Sequence, residues 1–338
     1  MFNKKVLLWI IGVIALTILT ISTGWDEIRS IWQGVNSTVI FSLFVLQIGT
    51  LSLTAYQWYY LLRKKAPNIS FRQVFSTYLA GGFVESVTPS SKLGGEAAKV
   101  YLFHQQTGLS YQELTSFLVA HKYISLLPFL LLCLLFLIIA SVNFVLPKII
   151  YISFLVFALF FGLIIWLIYN QNEKDRKQQI DQKDNSMVKE RFSYKVYKVF
   201  IDGFAFISKA VCQVKNIMTP SERNWLLIIS LLVWGFYPVK IYLVASVLGF
   251  SVQFILAVIV TYAAYLVSIL PLSPGGLGTF EGSMAFILSI NGLLFAEGLA
   301  VALLTRLVTY WFPLVLSALT AIYLITTEDI PLFANSKT

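Results

Sequence analysis

The sequence predicts an all-α protein that crosses a membrane several times, with about seven or eight transmembrane helices and two further broken, re-entrant segments. Hydrophobic residues make up 58% of the 338 residues and charged residues 12%, whereas about a quarter of the residues of soluble domains are charged. Long apolar stretches recur along the chain between short polar loops. Two of these stretches are interrupted by a similar motif of Gly, Pro, Ser and Glu.

The N-terminal half contains five apolar stretches that could lie at membrane depth, since a spanning helix needs about 20 apolar residues. They are 6–22, 38–62, 71–103 with the first motif inside it, 114–142 and 149–169. The first stretch follows Lys4 and Lys5 as a signal peptide would, but no cleavage site of small residues comes after it. We therefore expect it to be retained as a span.

A cytoplasmic loop and an amphipathic helix are predicted for 170–218. Residues 170–191 are polar, and apolar residues then recur at intervals of three to four from Phe192 to Met218, as in an amphipathic helix. This helix could lie along the membrane surface or cover a neighbouring loop.

The C-terminal half begins with a helix-start signal. Thr219 is expected to be the N-cap, Pro220 suits the first helical position and Glu222 completes a capping box. The apolar stretches 225–248, 252–270 and 285–326 follow. The second of these leads into the second motif, and the third is expected to break near Asn291 and again at Pro313.

The two motifs are TPSSKLGGEA at 88–97 and SPGGLGTFEG at 273–282. In each, a Glu follows the Pro by seven residues (Pro89 to Glu96, and Pro274 to Glu281). Irregular backbone at membrane depth is tolerated only where it is buried in protein or lines a wet cavity. A matched pair of interrupted segments points to the substrate site of a transporter. We therefore divide the single membrane domain, 1–338, into a first motif unit at 71–142 and a second at 252–326.

Basic loops predict the orientation, because loops rich in Lys and Arg stay in the cytoplasm. The N-terminus, residues 63–72 and the polar stretch 170–198 are the basic regions. All three lie on the cytoplasmic side only if 71–103 enters the membrane and returns to the same side. The second motif then enters from the outside, which makes the two units inverted repeats in a multi-pass protein of the inner, or cytoplasmic, membrane.

The small residues after each Pro are candidate contacts for a phosphate. Ser90 and Ser91 in the first motif, and Gly275 and Gly276 in the second, are expected to open short helices. The free N–H groups and partial positive charge of a helix N-terminus suit an anion. The alternative is that these residues merely allow tight packing of a broken helix.

Charged residues in apolar surroundings complete the candidate site. Lys99 could pair with Glu96 three residues before it, and Arg306 is the leading candidate partner of Glu281. Arg306 follows Glu281 by 25 residues, as His121 follows Glu96 (306 − 281 and 121 − 96), which favours a duplicated unit. The carboxylates could act as proton- or substrate-linked switches, or as structural ion pairs.

A surplus of bases at or near membrane depth suggests an anionic ligand. Lys92 and Lys122 are also candidate contacts, and Arg306 could bind a phosphate through two hydrogen bonds. Lys240 is a further base of this kind. Snorkelling to the interface is the alternative for bases near span ends, above all for Lys240, which follows Pro238 in a possible kink. His121 could be a packed polar group or, with Lys122 beside it, a proton carrier.

Other functional classes receive no support. The net charge of +9 comes from loops beside spans, so nucleic acid is not an expected partner. Cys133 and Cys212 give neither a disulfide framework nor metal-ligand spacing. We expect no cofactor, no metal, no catalytic residue and no nucleotide-driven transport, and the sequence does not predict an oligomeric state.

At 86–103 and 270–288, SVTPSSKLGGEAAKVYLF and LPLSPGGLGTFEGSMAFIL, the chain resembles the two signatures of the lysylphosphatidylglycerol synthase transmembrane region family. This is the flippase-like membrane portion of the bacterial multiple peptide resistance factor, and the resemblance covers nearly the whole chain. Full-length synthases add a soluble domain that transfers an aminoacyl group to phosphatidylglycerol. We expect that domain to be absent, because the sequence ends shortly after its last span.

The resemblance implies a membrane protein that moves or binds a lipid. The first interpretation is a translocator or binder of an anionic lipid, either a phospholipid or a polyprenyl-phosphate carrier. The alternatives are a non-transporting subunit that serves a lipid-modifying enzyme or glycosyltransferase, and a membrane-embedded transferase. The last would follow the family label of phosphatidylglycerol lysyltransferase alone, so we do not expect an enzyme.

Overall fold

A computed structural model describes residues 25–33, 35–87, 93–144, 217–268 and 273–327, with scattered positions between 148 and 162. All regular structure in these residues is helical, which confirms the predicted all-α membrane fold. The predicted span at 6–22, most of that at 149–169 and nearly all of the loop and amphipathic helix at 170–218 lie outside the described residues.

Ten α-helices and two short turns of other helical types have defined bounds, and the scattered described positions between 148 and 162 are also helical. The helices are α1 (Trp25–Trp32), α2 (Ser37–Leu62), α3 (Phe71–Val87), α4 (Leu93–Thr107), α5 (Tyr111–Asn143), α6 (Pro220–Val247), α7 (Phe254–Ser268), α8 (Thr279–Ser289), α9 (Phe295–Arg306) and α10 (Phe312–Thr327). A 3-10 turn covers Pro274–Gly276, and a π-helical turn, Leu307–Trp311, joins α9 to α10.

Four helical stretches among the described residues are long and apolar enough to cross a membrane. They are Ser37–Leu62, Tyr111–Val142, Pro220–Val247 and Phe295–Thr326. Each corresponds to a stretch predicted from the sequence. Helix α7 is apolar but has 15 residues, which is shorter than the usual membrane span. The total of about seven or eight spans remains a prediction.

Side-chain caps explain where the long helices begin. Thr219 Oγ1 accepts from the N–H of Glu222 at 3.4 Å, and the Glu222 carboxylate accepts from the N–H of Thr219 at 2.8 Å, so the predicted capping box is confirmed. Ser110 and Glu113 form a second capping box. It starts α5 at Tyr111, before the apolar residues at 114 from which the span was predicted.

The last helical stretch is interrupted once as predicted and once differently. Helices α8 and α9 are separated at 290–294, which confirms the break near Asn291. Pro313 does not break the helix; the helix widens into the π turn just before it, with the N–H of Phe312 donating to the carbonyl of Leu307. Proline lacks an N–H and its ring crowds the preceding turn of an α-helix, and a wider turn accommodates both defects.

The two motif units have the same order of elements. A short helix leads into the motif, a second short helix follows it, and a helical stretch of 32 residues closes the unit (Tyr111–Val142 and Phe295–Thr326). The units contact each other because α3 packs against α10 and against the 3-10 turn of the second motif. The described parts of both motifs therefore lie next to this interface, inside the protein.

Glycines allow α3 and α4 to approach closely on either side of the first motif. A Cβ on Gly95 would lie 2.4 Å from the Cβ of Glu85 and 2.7 Å from the carbonyl oxygen of Gly81. A Cβ on Gly81 would lie 2.3 Å from the Cγ of Lys99. Small residues at such crossings let helix backbones come together in membrane proteins, and here they bring Glu85 and Lys99 into contact.

Candidate functional site

The second motif forms a glycine turn. Gly275, Gly276 and Gly278 have φ values of 62°, 68° and 79°, a left-handed region that glycine adopts most easily. Helix α8 starts only at Thr279, so the expectation that Gly275 and Gly276 open a helix is wrong. The turn also lies against neighbouring side chains, because a Cβ on Gly275 would be 2.4 Å from the ring of Tyr310.

Glu281 and Arg306 form a buried ion pair, which confirms the predicted pairing. Glu281 is fully buried and Arg306 is 6% exposed. Arg306 Nε donates to Glu281 Oε1 at 2.9 Å, and Nη2 donates to the carbonyl of Gly275 at 2.6 Å. The N–H of Gly278 donates to Glu281 Oε2 at 2.7 Å. Both carboxylate oxygens are therefore engaged, and the pair joins α8, α9 and the glycine turn.

The ion pair between Glu281 and Arg306 bears on the phosphate site that was expected at the second motif. The positive end of α8, where a phosphate was expected, is occupied by Glu281, a carboxylate of the protein itself. The guanidinium of Arg306 also lies over the rings of Phe280 and Tyr310, at 4.3 Å and 5.0 Å from their centroids. In the described structure, this charge pair is balanced and enclosed by aromatic rings.

The first motif places Glu96 between two lysines. Glu96 is 6% exposed and lies in the first turn of α4. Its Oε1 accepts from Lys99 Nζ at 3.1 Å, the pairing that the sequence predicted, and from Lys122 Nζ at 2.6 Å. Lys99 Nζ is also 3.6 Å from Glu85 Oε2. These four side chains, from α3, α4 and α5, form a cluster of two carboxylates and two ammonium groups, called here the Glu96 cluster.

The Glu96 cluster is open on one side. The side chain of Lys122 is 36% exposed and that of Glu85 is 27% exposed, whereas Glu96 and Lys99 are 8% and 4% exposed. Lys122 is thus the most accessible cation of the cluster. It pairs with Glu96 across the α4–α5 hairpin, one residue beyond the 25-residue offset at which His121 lies.

His121 packs beside the cluster without satisfying its ring nitrogens. It is 5% exposed, and its ring stacks on Trp58 with centroids 5.0 Å apart. The backbone of Thr54 is its neighbour, but neither ring nitrogen meets hydrogen-bond geometry. Trp58 Nε1 and Glu96 Oε2 are also buried without partners among the described residues. Each such atom costs about 1–3 kcal/mol unless water or a ligand supplies the missing bond.

Lys240 is a third buried cation; the sequence counted it among the bases near membrane depth but not among the site residues. Its side chain is fully buried. The ammonium donates to Gln47 Oε1 at 2.6 Å and to Thr50 Oγ1 at 2.7 Å. It also lies 4.5 Å from the ring centroid of Tyr237. No carboxylate among the described residues lies within 4.0 Å of it. A signal was present: Gln47 and Thr50 are polar residues three apart in an apolar span.

Ser90, Ser91 and Lys92 lie outside the described residues. In the described part of the chain, no group of three His, Cys, Asp or Glu side chains could hold a metal ion. The two motif units meet where the Tyr310 hydroxyl donates to the carbonyl of Ser86 at 3.5 Å.

Fold and site together define a helical membrane protein with charged residues buried at two helix interruptions. The chain belongs to the lysylphosphatidylglycerol synthase TM region family, whose model matches residues 7–317. A UPF0104 membrane protein of Methanothermobacter thermautotrophicus is 24% identical over 92% of this chain and 93% of its own length. Similar proteins of Pyrococcus horikoshii and Methanocaldococcus jannaschii are 24% and 23% identical, over 94% and 93% of this chain and 96% and 93% of their own lengths.

Proposed function

We propose that the protein binds an anionic lipid by its headgroup and moves it across the cytoplasmic membrane. The observation that carries this proposal is the imbalance of buried charge around the two motifs. Four cations, Lys99, Lys122, Lys240 and Arg306, face three carboxylates, Glu85, Glu96 and Glu281. The cation without a carboxylate partner is Lys240, which contacts neither the balanced Glu96 cluster nor the Glu281–Arg306 pair. An uncompensated cation in a low-dielectric interior is unfavourable, and the phosphate of an anionic lipid passing through the protein would balance it.

The Glu96 cluster is the part of the site that a headgroup reaches first. Lys122 is its accessible cation, whereas Arg306 is held by Glu281, Gly275 and two aromatic rings. The acyl chains of a lipid can stay in the bilayer, so the protein has to replace only the hydration of the headgroup. This division explains why charged residues concentrate around two short motifs in an otherwise apolar chain.

The shared order of elements in the two motif units supports movement of the lipid as well as binding. In our proposal, the units are inverted repeats whose motifs enter the membrane from opposite sides, with the N-terminus in the cytoplasm. Inverted units give a transported headgroup similar surroundings from either side, as alternating access requires. The contact of α3 with α10 is the surface along which the units would move.

A reconstitution experiment tests this proposal. Purified protein in liposomes should speed the inward and outward movement of a fluorescent phosphatidylglycerol, measured by dithionite quenching, more than that of the matching phosphatidylcholine. Lys122→Gln should weaken the preference by about 1–3 kcal/mol, the range for a hydrogen bond to a charged group. Lys65→Gln is the control, because Lys65 pairs with Glu113 at the surface with 59% of its side chain exposed.

The outcomes separate the proposal from its rivals. Equal movement of both lipids, unaffected by Lys122→Gln, would contradict an anionic substrate. Binding of phosphatidylglycerol in native mass spectrometry without any movement would favour a non-transporting subunit of a lipid-modifying enzyme or glycosyltransferase. Chemical change of the headgroup by the purified protein alone would favour a membrane-embedded transferase.

A further inference from the structure

The Glu96 cluster is electrically balanced before any lipid arrives. Glu85 and Glu96 carry two negative charges, and Lys99 and Lys122 carry two positive charges that contact them. A phosphodiester headgroup that binds Lys122 adds one negative charge and competes with Glu96 for the same ammonium. Charges of one sign in surplus are costly where water is scarce, so the loaded cluster requires one further positive charge.

His121 is the group best placed to supply this charge. The His121 ring is 5% exposed, and among the described residues neither of its nitrogens has a partner of good hydrogen-bond geometry; the backbone of Thr54 is its neighbour. A proton taken from water by the ring would make both nitrogens donors. The unpartnered Glu96 Oε2 in the same cluster is an acceptor without a donor. Protonation would thus compensate the headgroup charge and add donors beside a cluster that holds a buried acceptor.

The helices around His121 contribute few other charges. Lys122 lies on its own helix, Glu96 and Lys99 are on α4, and Glu85 of α3 reaches the cluster through Lys99. On the other helices, Trp58 of α2 stacks on the His121 ring, and Tyr78 of α3 and Tyr237 of α6 pack against the same apolar cluster as Trp58. Among these described residues there is no carboxylate beyond Glu85 and Glu96. A charge on His121 is therefore unfavourable before the lipid binds.

We propose that His121 takes up one proton when an anionic headgroup binds at Lys122, so that the lipid and the proton occupy the protein together. This inference rests on the proposed binding of an anionic lipid and adds its coupling to a proton. The Glu96 cluster with its headgroup then carries no extra charge, and a proton gradient across the membrane would drive the lipid in the direction of proton flow. The second histidine offers a matched comparison: His104 bonds the carbonyl of Leu109 through Nδ1 at 2.7 Å and stacks on Tyr111.

Isothermal titration calorimetry of the full chain in detergent tests the coupling. The probe is dihexanoyl phosphatidylglycerol, titrated at pH 7 in phosphate and in Tris, two buffers that release protons with different enthalpies. The difference in binding heat gives the number of protons taken up, which should approach about one for the wild type and for His104→Gln. His121→Gln should take up almost none and should bind about tenfold more weakly, equivalent to about 1.4 kcal/mol.

Each result has a distinct meaning. Binding with the same heat in both buffers would overturn the proton coupling and leave lipid binding intact. Uptake that persists in His121→Gln would overturn the role of His121. No binding by the wild type would overturn the binding proposal and the coupling with it. Since the wild type alone reports the proton number, the test does not depend on whether His121→Gln folds.

Discussion

The ion pair between Glu281 and Arg306 gives the sharpest prediction about stability. Glu281→Gln and Arg306→Gln each leave one charge buried without its partner. Removing one member of a buried pair typically costs about 3–5 kcal/mol. The double variant replaces the pair with two neutral amides of similar size, which can still hydrogen bond to each other. We therefore expect the double variant to be less destabilised than the sum of the single variants.

The magnitude follows from the contacts that each variant loses. Glu281→Gln removes the negative charge that accepts two short hydrogen bonds, from Arg306 Nε at 2.9 Å and from the Gly278 N–H at 2.7 Å. Hydrogen bonds to charged groups contribute about 1.5–3 kcal/mol each. Arg306→Gln loses, in addition, the bond to Gly275 and the packing on Phe280 and Tyr310. The coupling free energy between the two sites should lie in the upper part of the range of about 0.5–3 kcal/mol.

The assay is unfolding of the full chain in mixed micelles titrated with SDS, followed by tryptophan fluorescence, for the wild type and the three variants. Lys64→Gln is the control, because it removes a pair with Glu222 in which both side chains are about a quarter exposed (28% and 24%). Such pairs contribute about 0–1 kcal/mol. Losses that add strictly, with a coupling free energy near zero, would refute the reasoning that the two charges depend on each other.

Two further predictions concern packing and topology. Gly95→Ala should destabilise the protein by about 1–3 kcal/mol through overpacking. Gly235→Ala is the control: its Cβ would meet no atom within 4 Å, so it should be neutral or stabilising by about 0.5–1 kcal/mol. The same SDS titration measures both variants, and equal effects would contradict the close approach of α3 and α4. For the topology, single cysteines are introduced into a background without the native cysteines. Cysteines at Asn68 and Asp184 should be protected from an impermeant thiol reagent in intact cells, while one at Asp26 should react. Labelling of the cysteine at Asp184 from outside would contradict the inverted arrangement.

The sequence predicted the long helices and two of the contacts inside the site. Apolar length placed the spans, and the capping residues Thr219 and Glu222 placed the start of α6. Charge was the most useful signal at the motifs, because a carboxylate in an apolar segment needs a partner and few bases were within reach. Glu281 with Arg306 and Glu96 with Lys99 followed from that scarcity.

Other features depend on three-dimensional geometry that local sequence does not specify. A helix turns by about 100° per residue, so His121 and Lys122 point in different directions and the repeat offset could not decide which of them meets Glu96. Gly275 and Gly276 can form either a helix start or a left-handed turn. The structure has the turn, and the ring of Tyr310 packs against it, a contact that local sequence does not specify. The partners of Lys240 lie on α2, and only the packing of α2 on α6 brings Gln47 and Thr50 to its ammonium.

The π-helical turn at Leu307–Trp311 has a mechanical consequence. It divides the last helical stretch into α9, which carries Arg306, and α10, which packs on α3 of the other motif unit. A wide turn contains one more residue than an α-helical turn, and helices often kink at such turns, which are frequent at functional sites. Because this turn begins directly after Arg306, a bend at the turn would let α10 shift along α3 while the ion pair between Glu281 and Arg306 stays closed.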